Sequence, residues 1–299
     1  MKVLVTGASG FTGSFAVQAL LEKKINVRCF VRHSSCLNLI PTEKVEIVFG
    51  DIDRSETLQK ALRDRDAIVN IASLGFGHAT KIVSAIRRAG IKRCLFISTT
   101  AIFTQLNAAS KGVRMAAEKT IVESGLDYTI LRPTMIYGSS RDRNIWRLIK
   151  YLDKFPIIPI CGSGNNLQQP VYVGDVAEAV TKALLTETTC RKSYNIAGAN
   201  PLTFNQIIDT VSALLGRKIK KIYLPLKPVT LVLSLMERVG VRFPIKKEQV
   251  LRLNEDKCFD YSKAIRDFGY QPRTFRDGVL LEIDEFRNSS HGHEKPVLK

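Results

Sequence analysis

Three glycines stand where a tight turn and a phosphate group would need them. In TGASGFTGSFAVQALL, residues 6–21, Gly7, Gly10 and Gly13 follow the strand-like run KVLVT and open an amphipathic stretch. Glycine at such a junction permits the turn, lets the backbone approach a pyrophosphate and lets the helix lie close on the strand. The helix N-terminus then offers unpaired N–H groups and the positive end of its dipole. The strand before and the helix after make the triplet a dinucleotide-binding loop rather than an ordinary turn. The second strand-like run ends in FVRHSS. A carboxylate there would bind the ribose hydroxyls of NAD. Arg32, His33, Ser34 and Ser35 offer instead a guanidinium and hydroxyls, which suit a ribose 2′-phosphate. NADP(H) is therefore expected ahead of NAD(H).

The elements that must hold these residues alternate. Runs rich in Val, Ile and Phe recur as KVLVTG, NVRCFVR, VEIVFGD, AIVNIAS, RCLFIST and DYTILRP, with amphipathic stretches such as residues 15–24 and 79–89 between them. Buried strands alternating with helices imply an α/β fold with a doubly wound parallel sheet. From about Ser139 the pattern loosens into the Pro- and Gly-rich KFPIIPICGSGNNLQQP. VYV, GDVAEAVTKALLT and SYNIAG then read as a return to the sheet. The expected layout is a dinucleotide-binding domain over 1–138 with a return at about 170–198. A smaller, mainly helical C-terminal substrate lobe takes 139–169 and 199–288, and 289–299 form a polar, disordered tail.

Bulk composition excludes more than it identifies. The chain has 299 residues, 45% of them apolar and 24% charged, as in a globular domain, with no repeat or low-complexity tract. A strand-like run beginning at residue 2 leaves no room for a signal peptide. The longest apolar run, from Pro228, is too short to span a bilayer. Six cysteines show neither a C-x-x-C pair nor metal-ligand spacing, so a reduced, cytoplasmic protein without a metal site is expected. The net charge of +17 suits nucleic acid, anionic lipid or phosphorylated ligands, yet the basic residues are dispersed and no nucleic-acid motif accompanies them. The cluster from Arg217 to Lys227, joined by Lys246 and Lys247, is the exception.

The spacing T-G-x-x-G-x-x-G, from Thr6 to Gly13, resembles the extended short-chain dehydrogenase/reductase family of nucleotide-sugar epimerases, dehydratases and 4-ketoreductases. Further marks follow in order and cover nearly the whole chain. The resemblance implies a Rossmann-type sheet, with Ser9, Phe11 and Thr12 of the loop also touching the cofactor. GDIDRSETL would bring Asp51 and Ile52 to the adenine, and NIAS would line the cofactor with Ala72 and Ser73. FISTTAIF would carry the catalytic hydroxyl at Thr99, with Thr100 on the substrate. LRPTMIYG would pass the nicotinamide at Pro133 and Thr134. QQPVYVGDVAEAV resembles the strand–helix return near the substrate, which places Gln169 there.

The family's chemistry uses Tyr-x-x-x-Lys on one helix. Four residues apart, the two side chains share a face, and the ammonium lowers the phenol's pKa so that it exchanges a proton as hydride moves. Lys111 matches the lysine, which would also bind the nicotinamide ribose. Asn107 stands where the tyrosine is expected. An amide does not titrate near neutrality, so it orients a carbonyl or a water and relays no proton by itself. Lys111 acting directly or through water, Tyr137 from the neighbouring motif, or no chemistry at all are the alternatives. The last makes the protein a cofactor-holding subunit or assembly factor, as some atypical members are. Because Thr99, Lys111 and the substrate-side motifs are all present, the enzymatic reading is preferred.

The C-terminal section QVLRLNEDKCFDYSKAIRDFGYQPRTF resembles bacterial proteins of polysaccharide assembly, which reduce or epimerise sugars carried on a nucleotide diphosphate or a lipid. Such a diphosphate gives Arg141, Arg143, Lys150 and the cluster near Lys218 a use. The apolar stretch from Pro228 to Val241 is bounded by basic residues. It suits a core helix of the lobe or a helix lying peripherally on the inner, anionic face of a membrane. A homodimer through a helix pair is common in this family.

Overall fold

The structure is a computed structural model that describes residues 1–106, 108–240 and 246–291. The expectations placed on Asn107, and the tail beyond His291, lie outside the described residues. The chain divides into two compact units. The first comprises Met1–Thr134, Val173–Ala197 and Asp260–Pro272.

The first unit is built on a seven-stranded parallel sheet. Its strands are β1 (Lys2–Thr6), β2 (Asn26–Val31), β3 (Glu46–Phe49), β4 (Ala67–Asn70), β5 (Arg93–Ile97), β6 (Asp127–Pro133) and a last strand, Lys192–Ile196. The order is Lys192–Ile196, β6, β5, β4, β1, β2, β3, with every neighbour parallel. Helices α1 (Phe11–Glu22), α2 (Ser55–Ala61), α3 (Ala79–Arg88), α4 (Ala109–Val122) and α6 (Val173–Leu185) make the crossovers, and α1 packs on α6. All four residues of β4 are buried, as expected where helices cover both faces of a parallel sheet. The chain begins at β1, winds out to β3 and crosses back to β4. The β1–β4 border is thus the point where strand order reverses, and an open parallel sheet offers a crevice at its carboxyl edge there.

The segment Asp260–Pro272, expected in the C-terminal lobe, belongs to this first unit. Its helix α10 (Ser262–Phe268) supplies Asp267, whose Oδ2 accepts from Lys192 Nζ at 2.9 Å and Tyr194 Oη at 2.8 Å. Tyr270 Oη donates to the Ala197 carbonyl at 2.9 Å. Polar groups along and just after the last strand thus find their partners some 70 residues away in sequence, a pairing with no local signature.

The second unit comprises Met135–Tyr172, Gly198–Phe259 and the part beginning at Arg273. It is mainly helical: α5 (Ile145–Lys154), α7 (Phe204–Leu215), α8 (Leu226–Arg238), α9 (Lys247–Leu253) and α11 (Phe275–His291). Ile149, Ile208, Val211, Val279 and Ile283 form its core. Helix α11 continues past residue 289, where a disordered tail is expected, and Arg287 Nη2 donates to the Leu214 carbonyl at 2.9 Å. Asp142 caps the start of α5, accepting from the N–H groups of Asn144, Ile145 and Trp146 at 2.6, 2.9 and 3.2 Å. Beside it lies the fully buried Glu282. Burial first, and then the Asp142 charge, push the Glu282 pKa up to about 9. Burial also raises Asp142, against the three N–H groups that hold it down. The proton of this pair therefore sits on Glu282 at neutral pH. No helix among the described residues is long and apolar enough to cross a membrane.

Candidate functional site

The loop after β1 is fixed by contacts that only glycine permits. Gly7 has φ +71°, a left-handed conformation, and a Cβ there would lie 2.6 Å from the Ala72 nitrogen. A Cβ on Gly13 would lie 2.0 Å from the Gly7 carbonyl oxygen, so α1 rests directly on the turn. The turn closes through Gly10 N–H to Gly7 O at 3.0 Å and Ser14 N–H to Gly10 O at 3.0 Å. Asn70, at the end of β4, ties the two strand ends: its Oδ1 accepts from Thr6 Oγ1 at 2.7 Å and its Nδ2 donates to Ala72 O at 3.0 Å. Helix α1 follows Gly10 with no side-chain cap and no acidic residue in its first turn. Its leading N–H groups and dipole are unneutralised, and Ser9, Phe11 and Thr12 lie half-buried around them. A dinucleotide pyrophosphate fits this cradle in charge and in room for approach.

The neighbouring strand ends extend the same edge. After β2, the Arg32 N–H donates to Ser35 Oγ at 3.2 Å and Ser35 N–H returns to Arg32 O at 2.9 Å. This turn leaves the side chains of Arg32 and Ser34 exposed, and the Arg32 guanidinium has no partner among the described residues. His33 stacks on Phe49 with centroids 4.7 Å apart. After β3, Asp51 Oδ1 accepts from Asp53 N–H at 2.9 Å, while Ile52 packs on the core below. After β4, Ser73 Oγ accepts from Gly75 N–H at 3.2 Å.

At the end of β5, Thr99 caps a short 3₁₀ turn, Thr100–Phe103, its Oγ1 accepting from Ala101 N–H at 3.2 Å. Thr104 follows that turn, and its carbonyl accepts from Lys111 Nζ at 2.7 Å. Thr99 and Lys111 thus bracket one short segment at the carboxyl edge. Thr100 is buried and turns inward, its Oγ1 donating to the Pro133 carbonyl at 3.3 Å. Thr134 is also buried, its N–H on the Ile196 carbonyl at 3.0 Å.

A partly buried charge cluster underlies this segment. Arg132 donates to Glu118 through Nε at 3.0 Å and Nη2 at 2.6 Å, Ser98 Oγ hydrogen-bonds Glu118, and the Arg132 guanidinium lies 5.5 Å from the Phe103 ring centroid. Sequence reasoning passed over both charged residues, although Arg132 lies in the LRPTMIYG motif and Glu118 two turns after Lys111 on helix α4. An ionisable residue inside an otherwise apolar run was the available signal.

Three of the expected substrate contacts fall in the second unit. Tyr137 is 1% exposed and packs against Tyr172 and Phe275, its Oη donating to the Phe275 carbonyl at 3.3 Å. Gln169 is equally enclosed: Nε2 donates to Gly198 O and Oε1 accepts from Phe259 N–H, both at 2.8 Å. Both side chains are enclosed within the second unit. An alternating or motif-based reading cannot tell an inward polar side chain from one facing ligand. Arg141 is exposed, its backbone N–H on Ser139 Oγ at 3.2 Å. The second unit also holds an apolar pocket of about 220 Å³, lined among others by Tyr151, Ile160, Cys161, Phe204 and Leu253, with no carboxylate, histidine, lysine or arginine in its wall.

Residues 7–156 match the family described as NAD(P)H-binding, and residues 97–226 match the 3-beta hydroxysteroid dehydrogenase/isomerase family. The N-acetyl-alpha-D-glucosaminyl-diphospho-ditrans,octacis-undecaprenol 4-epimerase of Escherichia coli O157:H7 is 23% identical, over 93% of each chain. The photosystem II assembly factor Ycf39 of Trieres chinensis is 22% identical, over 96% of this chain and 91% of its own. Among solved structures, the UDP-glucose 4-epimerase of Thermotoga maritima, with UDP-glucose, superposes with a TM-score of 0.77 at 19% identity. It spans 97% of this chain and all of its own, and shows the shared fold.

Proposed function

The chain belongs to the NAD(P)H-binding family, of the short-chain dehydrogenase/reductase type, and on that premise we propose an NADPH-dependent reductase or epimerase. Its substrate would be a carbonyl or hydroxyl carbon of a sugar activated by a nucleotide diphosphate or a diphosphate-linked lipid. The glycine cradle at the β1–β4 border carries the reading. Gly7, Gly10 and Gly13 with the α1 N-terminus would hold the pyrophosphate, and Arg32 with Ser34 the 2′-phosphate. Asp51 and Ile52 would meet the adenine, and Ala72, Ser73, Pro133 and Thr134 would line the remainder. Lys111 would hold the nicotinamide ribose. When bound, the nicotinamide supplies or accepts a hydride.

The chain's own part is to bind and orient the substrate oxygen and to manage its proton. Thr99 Oγ1 would hydrogen-bond that oxygen, and the Lys111 ammonium would favour negative charge developing on it. By its type, Asn107 orients without titrating. The proton then passes through Lys111 or a water it positions. The relatives named as epimerases support sugar chemistry, and the cofactor loop supports the redox half.

A second reading follows from Asn107 itself. Without the tyrosine, the chain would hold NADPH and turn nothing over, and the relative named as an assembly factor favours this. Single-turnover oxidation of bound NADPH by a panel of nucleotide 4-keto sugars separates the two. Oxidation that falls in Thr99→Val supports the enzyme. Tight NADPH binding with no oxidation by any member of the panel supports the holding role.

A further inference from the structure

Helix α8 presents its apolar face to solvent. Leu233 is the buried residue of this helix. Leu231 is 62% exposed, Val232 54%, Leu235 53%, and Val239, just past the helix end, 75%. Counted from the exposed Pro228, these residues fall at i+3, i+4, i+7 and i+11, which is one helix face. Scattered apolar side chains on a surface need no explanation, but a contiguous stripe marks a contact. The strand Lys220–Leu224, which precedes α8, adds Ile222 and Tyr223, 42% and 52% exposed.

The charges around the stripe are predominantly positive. Residues 216–247 contain nine Lys or Arg and one acid, Glu237: a net +8 of the chain's +17 in 32 residues. Arg217 is paired with Asp153 at 3.2 Å and Lys221 with Asp209 at 2.7 Å. The exposed Lys218, Lys220, Lys227 and Arg238 have no carboxylate partner among the described residues. Glu237 Oε1 accepts from the Lys247 N–H at 3.1 Å.

We propose that α8 is a docking element for an anionic lipid bilayer, lying in the interface with Leu231, Val232, Leu235 and Val239 among the acyl chains. The basic residues around it would meet the headgroups. A 13-residue helix is about 20 Å long, too short to span and suited to lying flat. A second copy would set one +8 region against another, and a nucleic acid would leave the leucines in water. An anionic bilayer satisfies both the stripe and the charge. Each basic residue at the surface strengthens binding about fivefold.

The test is flotation of the full chain at physiological salt, with vesicles of phosphatidylcholine alone or doped with phosphatidylglycerol. Co-flotation is expected only with the doped vesicles. Leu231→Glu combined with Leu235→Glu should weaken it at least about tenfold, with an unchanged melting temperature because both sites are exposed. Lys218→Gln, Lys220→Gln and Lys227→Gln together, or high salt, should weaken it as well. Absence of co-flotation, or variants that float as the parent does, overturns the proposal. So does a dimer that Leu235→Glu dissociates without any vesicle binding, since the stripe then serves a second copy. Flotation reads no cofactor, so its failure leaves the NADPH reading standing.

Discussion

Lys111 Nζ donates to the Thr104 carbonyl at 2.7 Å, so helix α4 holds the far end of the turn that Thr99 begins. One of the three ammonium donors fixes the loop, and the other two are those the proposed function would assign to ribose and substrate. Lys111→Ala should weaken NADPH about 10- to 100-fold, the worth of one hydrogen bond to a charged group. Titration of NADPH fluorescence measures it. Unchanged affinity would remove Lys111 from the cofactor site.

The glycines of the loop separate packing from ligand approach. Gly13→Ala drives a Cβ to 2.0 Å from one carbonyl oxygen and 2.8 Å from another, both backbone, so the variant should lose several degrees of melting temperature. Gly10→Ala meets the Gly7 oxygen at 3.1 Å, a tight contact that a small shift relieves. It should melt close to the parent and bind NADPH more weakly, because its methyl narrows the approach to the α1 N-terminus. Thermal melts with and without NADPH distinguish the two.

Arg32 is the test of cofactor choice. Its exposed guanidinium is free to pair with a 2′-phosphate, so Arg32→Ala should weaken NADPH about 10- to 100-fold and leave NADH unchanged. Equal losses for both, seen by calorimetry, would show that the residue does not discriminate between them.

Glu282 makes stability depend on pH in an unusual direction for a carboxylate. Its folded pKa of about 9 lies above its ordinary 4.5, so the folded chain binds the extra proton. The associated stability is fully present below pH 4.5 and is lost as pH rises toward about 9. Melting temperature should fall over that window, and Glu282→Gln should flatten the fall and melt higher at the alkaline end. A parallel decline in the two proteins would assign it to other groups.

Much of the fold was legible because its determinants are local. Each of the seven sheet strands lies in a run whose β-branched and aromatic residues mark it, and the Gly7 turn announces itself through residues that no other side chain replaces. What was hidden depends on direction and distance. Composition could not show that Tyr137 and Gln169 face inward, or that Glu118 and Arg132 meet across 14 positions. Nor could an apolar run reveal that α8 turns Leu231 and Leu235 outward, since core and interfacial helices share one periodicity. The return of Asp260–Pro272 to the first unit rests on Asp267 and Tyr270 finding groups about 73 residues upstream, which no window of sequence contains.

That return has a consequence for synthesis. The first 134 residues emerge early from the ribosome, yet Lys192, Tyr194 and the Ala197 carbonyl acquire their partners only when Asp267 and Tyr270 arrive. Until then the nascent chain carries an incomplete sheet end with unsatisfied polar groups, while most of the second unit is being made. Long-range closure of this kind is slow and leaves apolar surface open to aggregation. A truncation just before Asp260 should therefore keep the whole glycine loop in sequence and still expose a chaperone-dependent, protease-sensitive first unit.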